Sequence, residues 1–374
     1  MVKKLAILGS TGSIGCQTLD IIRLFRDSFE VTGLAAGNNV RDFSIQVAEF
    51  QPHFTFCNNN SVVKGRDGHL PLEEMSSHPD VDIVIVATTG KIGLQPTLAA
   101  IQTGKTVAIA NKEILAMAGE LITRLAAKHN ATILPIDSEH SAIWQCLQGE
   151  TGEVKRLLLT ASGGPFFGHT QSKLENITVK QALSHPTWKM GKKVTIDSAT
   201  LLNKGMEAIE AHWLFNLPYE RIEILIHRQS IIHSMVEFVD GSIKAQLSMP
   251  DMHLPIQYAL FYPQRVSNHS LASIDFNLVR ELTLEPVNYA QFPCLQLALE
   301  AAKKGATYPA ALCAADEIAV QLFLENKIKF TEIAHIIETV LNLHKPLQCP
   351  GLEDILSADA LARQIALKAA RKGQ

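Results

Sequence analysis

Nothing in the 374-residue chain forms a run of 18 apolar residues, a block of like basic charge, or a Cys-x-x-Cys pair. The first absence argues against a membrane-spanning helix. The second, with a net charge of -3 and aromatics not interleaved with Lys or Arg, argues against a general nucleic-acid surface and leaves room for a local phosphate pocket. Six cysteines lie scattered at 16, 57, 146, 294, 313 and 349, so they read as reduced thiols rather than as a disulfide framework. The apolar stretch after Met1 is too short for a signal peptide and carries glycines where a cleavage site would fall, so a cytoplasmic protein without membrane partners is expected.

What is present is a hydrophobic content of 47%, charged residues at 19%, 22 glycines and 16 prolines, which is globular and long enough for two or three cores. "KLAILG" (4–9) reads as a buried strand, "STGSIG" as a glycine turn, "CQTLDIIRLF" as a helix and "FEVTGLAAG" as a second strand, a βαβ opening. "VDIVIVATTG" (81–90) and "TVAIANKE" (106–113) continue the parallel-strand pattern. The expected fold class is α/β: a Rossmann-like dinucleotide-binding domain over 1–122, a central α+β domain over 123–250, a linker over 251–290 and a helical domain over 291–374. Residues 225–250 read as strands joined by a "DG" turn in a more exposed sheet. In the tail, Gly305 and Gly373 are placed as helix stops.

The turn Gly9–Gly15 follows a strand and opens a helix. Gly9, Gly12 and Gly15 there permit a tight turn, close approach of a pyrophosphate, and close helix packing, with amides at the helix start facing the anion. The second strand ends in Ala36, Gly37, Asn38 and Asn39, with no carboxylate for the ribose hydroxyls of NAD. This favours NADP, with Arg41 nearby to meet a 2'-phosphate.

"ILPIDSEHSAIW" (133–144) puts Asp137 and Glu139 two residues apart. If extended, they share one side of a strand, with Ser138 on the other; if a turn, the geometry is open. Converging carboxylates repel unless a cation joins them, and Mg2+ or Mn2+ prefers oxygen ligands. After a "DSAT" turn, residues 201–214 read as a helix on which Asn203 and Glu207 share a face with Lys204 beside it. Glu207 is the candidate third acid, and Glu210 the alternative. Ser162, Ser198, Asn203 and Lys204 are donors suited to a phosphate oxyanion. "SHPTWKMG" (184–191) is either an anchored Trp188 in an interface or a lid, with His185 reaching the phosphate. His227 and His233 read as hydrogen-bonded core or pocket wall. Ser138 with His140 lacks the elbow that a hydrolase nucleophile needs.

In order along the chain, "GSTGSIG", "ANKE", "LPIDSEHSA", "LTASGGPF", "HPTWKMGKKVTIDSATLLNKGMEAIEAHWLF", "QSIIHSMVEF", "AQLSMPDM" and "FPCLQLA" resemble the 1-deoxy-D-xylulose 5-phosphate reductoisomerase family over essentially the whole sequence. The resemblance implies the NADPH-dependent conversion of 1-deoxy-D-xylulose 5-phosphate to 2-C-methyl-D-erythritol 4-phosphate in the non-mevalonate isoprenoid pathway, by V-shaped homodimers. It assigns Asp137, Glu139 and Glu207 to a divalent metal, Mg2+ or Mn2+. Ser138, Ser162, His185, Ser198, Asn203 and Lys204 would meet the substrate, and Trp188 the lid. Gly9, Thr11, Gly12, Ser13, Ile14, Gly37, Asn38, Asn39, Asn111, Glu113, Gly191 and Met252 would lie at the cofactor. Asp137, Ser138, Glu139, His185, Trp188, Lys204 and Glu207 are therefore the expected catalytic set. Two positions depart: the family commonly has Lys at Asn38 and Pro at Arg228. The alternatives are a simple NADP-dependent dehydrogenase of another phosphorylated metabolite, which needs no metal, and a non-catalytic NADP-binding regulator.

Overall fold

In the computed structural model, which describes residues 2–58 and 63–372, two compact units emerge: residues 1–114, 122–141 and 251–272 form the first, and 115–121, 142–250 and 273–374 the second. Gly373, expected as a helix stop, lies outside the described residues.

The first unit is built on seven strands, β1 (Lys3–Leu8), β2 (Phe29–Ala36), β3 (Phe54–Cys57), β4 (Gly68–His69), β5 (Ile83–Val86), β6 (Thr106–Ile109) and β7 (Thr132–Pro135). All pairings are parallel, in the order β4-β3-β2-β1-β5-β6-β7. The apolar runs form strands because both sheet faces are covered, and Leu5 to Leu8 and Val84 to Val86 are fully buried. Strand order reverses between β1 and β5, and the glycine turn leaves β1 at that switch point, where α/β sheets bind ligands. The sheet runs past residue 122, since β7 pairs with β6.

The segment expected to be a linker, 251–290, is not all irregular. His253–Phe261 is a helix of the first unit, with Pro255 in its first turn, where a missing N–H costs little. Lys3 Nζ donates to Leu260 O at 2.7 Å and Phe261 packs edge-on to Phe25 and Phe29. Further on, Glu285–Pro286 forms a short strand.

The second unit carries a five-stranded sheet of β8 (Val154–Ala161), β9 (Ile222–Ile226), β10 (Ile232–Phe238), β11 (Ile243–Leu247) and β12 (Glu285–Pro286), in the order β11-β10-β8-β9-β12. The expected "DG" turn joins β10 to β11 with Gly241 at φ +86°. Exposure differs between the strands: all seven residues of β10 are buried, whereas every residue of β11 is exposed or half-buried. Val236 and Phe238 enter the main core with Leu157, Leu159 and Leu295, while Ile232 and Met235 join a second cluster with Leu158 on the other face. A register shift between Ile232 and Ser234 puts residues three apart on one face.

Four helices, Pro293–Lys304, Tyr308–Leu324, Glu332–Leu343 and Leu352–Lys372, complete this unit. Gly305, at φ +61°, ends the first of them as predicted. Among the described residues no helix is long and apolar enough to cross a membrane.

Candidate active site

The glycine turn of the first unit has a steric explanation. Gly9 sits at φ +92°, and a Cβ there would fall 2.5 Å from Ala87 O on the neighbouring strand's exit. At Gly15 a Cβ would meet Gly9 O at 2.3 Å. The turn is thus drawn tight against the helix Ser13–Leu24, and the cap residue Gly12 brings no side chain to that helix's first amides. A cradle that any Cβ would fill, facing a helix N-terminus, suits a pyrophosphate.

After β2, Gly37, Asn38 and Asn39 are exposed, and Asn39 caps the helix Val40–Phe50 by accepting from Asp42 N at 3.3 Å. Asn38 Oδ1 accepts from Asn58 Nδ2 at 3.0 Å, and Arg41 stands exposed in the helix's first turn. Asn111 is buried, donating to Gly90 O at 2.8 Å and Thr88 Oγ1 at 3.2 Å while capping the helix Lys112–His129. Glu113 follows, buried in that helix's first turn; Met252 caps the helix His253–Phe261 in the same unit. Gly191 belongs to the second unit, as the exposed cap of the helix Lys192–Thr200.

Asp137 and Glu139 are neither extended nor in an isolated turn. The helix Ser138–Leu147 starts between them: Ser141 N donates to Asp137 O at 2.8 Å and Ser138 N to Asp137 Oδ1 at 3.0 Å. Helix geometry, rather than alternation along a strand, brings a carboxylate oxygen of each within 4.8 Å of the other. Lys112 Nζ lies 2.6 Å from Asp137 Oδ2, and Ser138 Oγ donates to Glu139 Oε2 at 2.6 Å. His140 is completely buried, its Nδ1 4.0 Å from Asp137 Oδ2. Two carboxylates held together beside one buried lysine form a hard-oxygen donor set that fits a hard divalent cation.

In the second unit the "DSAT" residues end a helix, Lys192–Thr200, instead of forming a turn; the break comes at Leu201, buried at φ +56°. The next helix, Leu202–Phe215, then starts at once, so Ser198 and the pair Asn203 and Lys204 stand either side of one junction. Asn203 Nδ2 and Lys204 Nζ both donate to the Glu207 carboxylate, which is 1% exposed. Glu210 is fully buried one turn further on.

His185 Nε2 is 2.9 Å from Ser162 Oγ, while Nδ1 accepts from the amides of Thr187 at 3.1 Å and Trp188 at 2.9 Å. An Nδ1 that accepts twice carries no proton, so the neutral ring bears its hydrogen on Nε2 and donates to Ser162. Burial, then the nearby Arg228, pushes the His185 pKa down to about 4, so the ring is neutral at pH 7. The Trp188 ring lies 6.0 Å from that of His233. His233 is itself pushed down to about 4, chiefly by burial, and donates to Ser248 O at 3.2 Å. His227 is fully buried, with Nδ1 on Thr283 O at 2.7 Å and Nε2 accepting from the amides of Ile231 and Ile232, which is the core role its sequence context predicts.

The family model described as 1-deoxy-D-xylulose 5-phosphate reductoisomerase matches residues 5–119, that of its C-terminal domain residues 133–215, and that of the DXP reductoisomerase C-terminal domain residues 247–365. The 1-deoxy-D-xylulose 5-phosphate reductoisomerase of Caldanaerobacter subterraneus subsp. tengcongensis is 50% identical over 378 residues, covering 97% of this chain and 98% of that protein. The chain belongs to the 1-deoxy-D-xylulose 5-phosphate reductoisomerase family. The enzyme of the same name from Thermoanaerobacter pseudethanolicus is also 50% identical, over 383 residues and 99% of both chains. A crystal structure of DOX-P reductoisomerase in complex with NADPH, fosmidomycin and magnesium superposes with a TM-score of 0.91 at 39% identity, over 99% of this chain and 98% of that one. The Zymomonas mobilis reductoisomerase in complex with NADPH gives 0.90 at 40% identity over 99% of both. As a member of this family, the chain is an NADPH-dependent oxidoreductase with a metal-binding site.

Two residues beside the site, Lys112 and Arg228, carry no strong functional signal in the sequence. Lys112 lies in "ANKE", and a lysine opening a helix directly after a buried strand was the available signal. Arg228 stands out in sequence only as a departure from the expected motif, yet its guanidinium donates to Ser162 O and Gly164 O.

Proposed function

We propose how this chain carries out its family's reaction, the NADPH-dependent conversion of 1-deoxy-D-xylulose 5-phosphate to 2-C-methyl-D-erythritol 4-phosphate. Asp137, Glu139 and Glu207 hold one divalent cation, Mg2+ or Mn2+, and Ser138 contacts the substrate beside it. The observation that carries the metal assignment is the approach of the Asp137 and Glu139 carboxylates to within 4.8 Å on one helical turn. When bound, such a cation polarises substrate oxygens as a Lewis acid, and NADPH supplies the hydride.

The chain's own groups then bind, orient and enclose. Ser162, Ser198, Asn203 and Lys204 take the phosphate and the substrate's oxygens, Lys204 as the positive charge among neutral donors. The neutral His185 gives Ser162 Oγ an N–H to accept, leaving the hydroxyl proton free to face an oxyanion. Trp188, tethered to His185 through its own amide, covers the bound sugar so that water stays out while the carbon skeleton rearranges. Lys112 holds the Asp137 carboxylate in place through their ion pair.

On the cofactor side, Gly9, Gly12 and Gly15 shape the turn, and Thr11, Ser13 and Ile14 present it to the pyrophosphate. Gly37, Asn38 and Asn39, with Arg41, receive the 2'-phosphate end. Asn111, Glu113, Gly191 and Met252 border the rest. The reading extends to a cytoplasmic homodimer, as in the resembling enzymes.

Glu207→Gln tests the metal assignment. Turnover should fall at least about 100-fold, with the Mg2+ concentration for half-maximal rate raised and NADPH affinity retained. An unchanged metal-dependent rate would remove Glu207 from the ligand set.

A further inference from the structure

The turn that carries Ser162 is held by a residue that the reaction has not yet used. Gly163 and Gly164 take φ +79° and +65°, a left-handed pair that directs the Ser162 and Gly164 carbonyls to a common side. Arg228 Nη1 donates to both, at 3.2 Å to Ser162 O and 3.0 Å to Gly164 O. Its guanidinium also lies over the Phe167 ring, 5.2 Å from the centroid, on the same loop. The far side of the turn is pressed against the helix that carries Ser198: a Cβ on Gly164 would fall 2.6 Å from Ser198 O. The Ser162 loop is therefore gripped between the Ser198 helix and one arginine. Gly164 N in turn donates to Ser162 Oγ at 3.3 Å, so fixing the turn fixes the hydroxyl.

We propose that Arg228 is a positioning residue for phosphate recognition, clamping the Ser162–Gly164 turn so that the Ser162 hydroxyl is preset for the substrate's phosphate. This rests on the reading of Ser162 as a phosphate contact. The arginine acts through the backbone it holds and adds one positive charge to the pocket wall, close enough to His185 to help keep that ring neutral. Proline, which the resemblance leads one to expect at this position, has no side-chain donor and could not make this clamp. Hydrogen bonds from a charged donor are the strong class, and an arginine stacked on an aromatic ring loses little freedom in making them.

The test is steady-state kinetics of NADPH oxidation with 1-deoxy-D-xylulose 5-phosphate, run on wild type, Arg228→Met, Arg228→Lys and Ser162→Ala, with inorganic phosphate as the competing probe and thermal melting as a check on folding. For Arg228→Met, KM for the sugar phosphate and the inhibition constant of phosphate should both rise about tenfold, kcat should change less than about threefold, and KM for NADPH should stay put. Arg228→Lys keeps a charged donor and should bring KM back to within about threefold of wild type. If Ser162→Ala raises the sugar-phosphate KM and Arg228→Met does not, the clamp is refuted while the phosphate reading stands. An unmoved KM in Ser162→Ala would overturn both. Equal rises in the two KM values of Arg228→Met would mark a general structural loss and refute the proposal.

Discussion

Adding one methyl group at Gly9 should damage cofactor binding selectively. Gly9→Ala places a Cβ 2.5 Å from Ala87 O and 2.7 Å from Ala87 C, both backbone atoms, in a residue whose φ of +92° disfavours any side chain. The left-handed backbone alone costs about 1–2 kcal/mol and an overpacked contact about 1–3 kcal/mol, so about 2–5 kcal/mol must be relieved by moving the turn. Its neighbours cannot give way, since Gly9 N and Ser10 N both donate to Ala35 O at 2.8 Å and Gly15 closes the turn from the other side. The amides proposed to face the pyrophosphate would then lose register. Losing one charge-assisted hydrogen bond, about 1.5–3 kcal/mol, corresponds to a ten- to hundredfold or larger loss of NADPH affinity. NADPH titration followed by fluorescence, beside kinetics in both substrates, reads this directly. A variant with normal melting, unchanged NADPH affinity and a raised KM for the sugar phosphate would refute the placement of the cofactor on this turn.

Other consequences follow from the same geometry. Trp188→Ala should raise KM for the sugar phosphate or lower kcat by about tenfold, and unaltered kinetics would reduce the indole to packing. NADPH should be used in clear preference to NADH, because no carboxylate ends β2 and Arg41 stands exposed beside Asn38; equal use of both would reject the 2'-phosphate argument. His185 and His233 are pressed to about 4 in the folded protein against about 6.5 unfolded, so the unfolded chain binds more protons between those values and stability should fall as pH drops from about 6.5 to 4. Thermal melting across that range should show a shallower decline in His185→Gln than in wild type, and parallel curves would show that the ring is not held neutral.

The glycine turn was legible because its residue type is forced: positive φ and close backbone contacts at Gly9, and backbone contacts under 3 Å at Gly15, leave only glycine at both. The side of the helix shared by Asn203 and Glu207 was legible for the same kind of reason, a spacing of four that helix geometry turns into a hydrogen bond. Where intrinsic preference and tertiary packing disagree, the sequence misleads. "KKVTIDSAT" is rich in β-branched and hydroxyl residues, yet packing buries Ile196, Ser198 and Ala199 in a helix. "HLPIQYALF" looks broken by its proline, which a first helical turn tolerates. The Lys112 to Asp137 ion pair joins residues from two strand exits, and no local pattern encodes it. The Arg228 clamp is likewise a long-range contact, visible in sequence only as a departure from a motif.

The most direct test of the whole account is an assay of NADPH oxidation with 1-deoxy-D-xylulose 5-phosphate, with and without a divalent cation, and with the product identified by mass and NMR. Oxidation that requires the sugar phosphate, stops on chelation, returns with Mg2+ or Mn2+ and yields 2-C-methyl-D-erythritol 4-phosphate is the predicted result. Full turnover in the presence of excess chelator, or a reduced product with its carbon skeleton unrearranged, would contradict it.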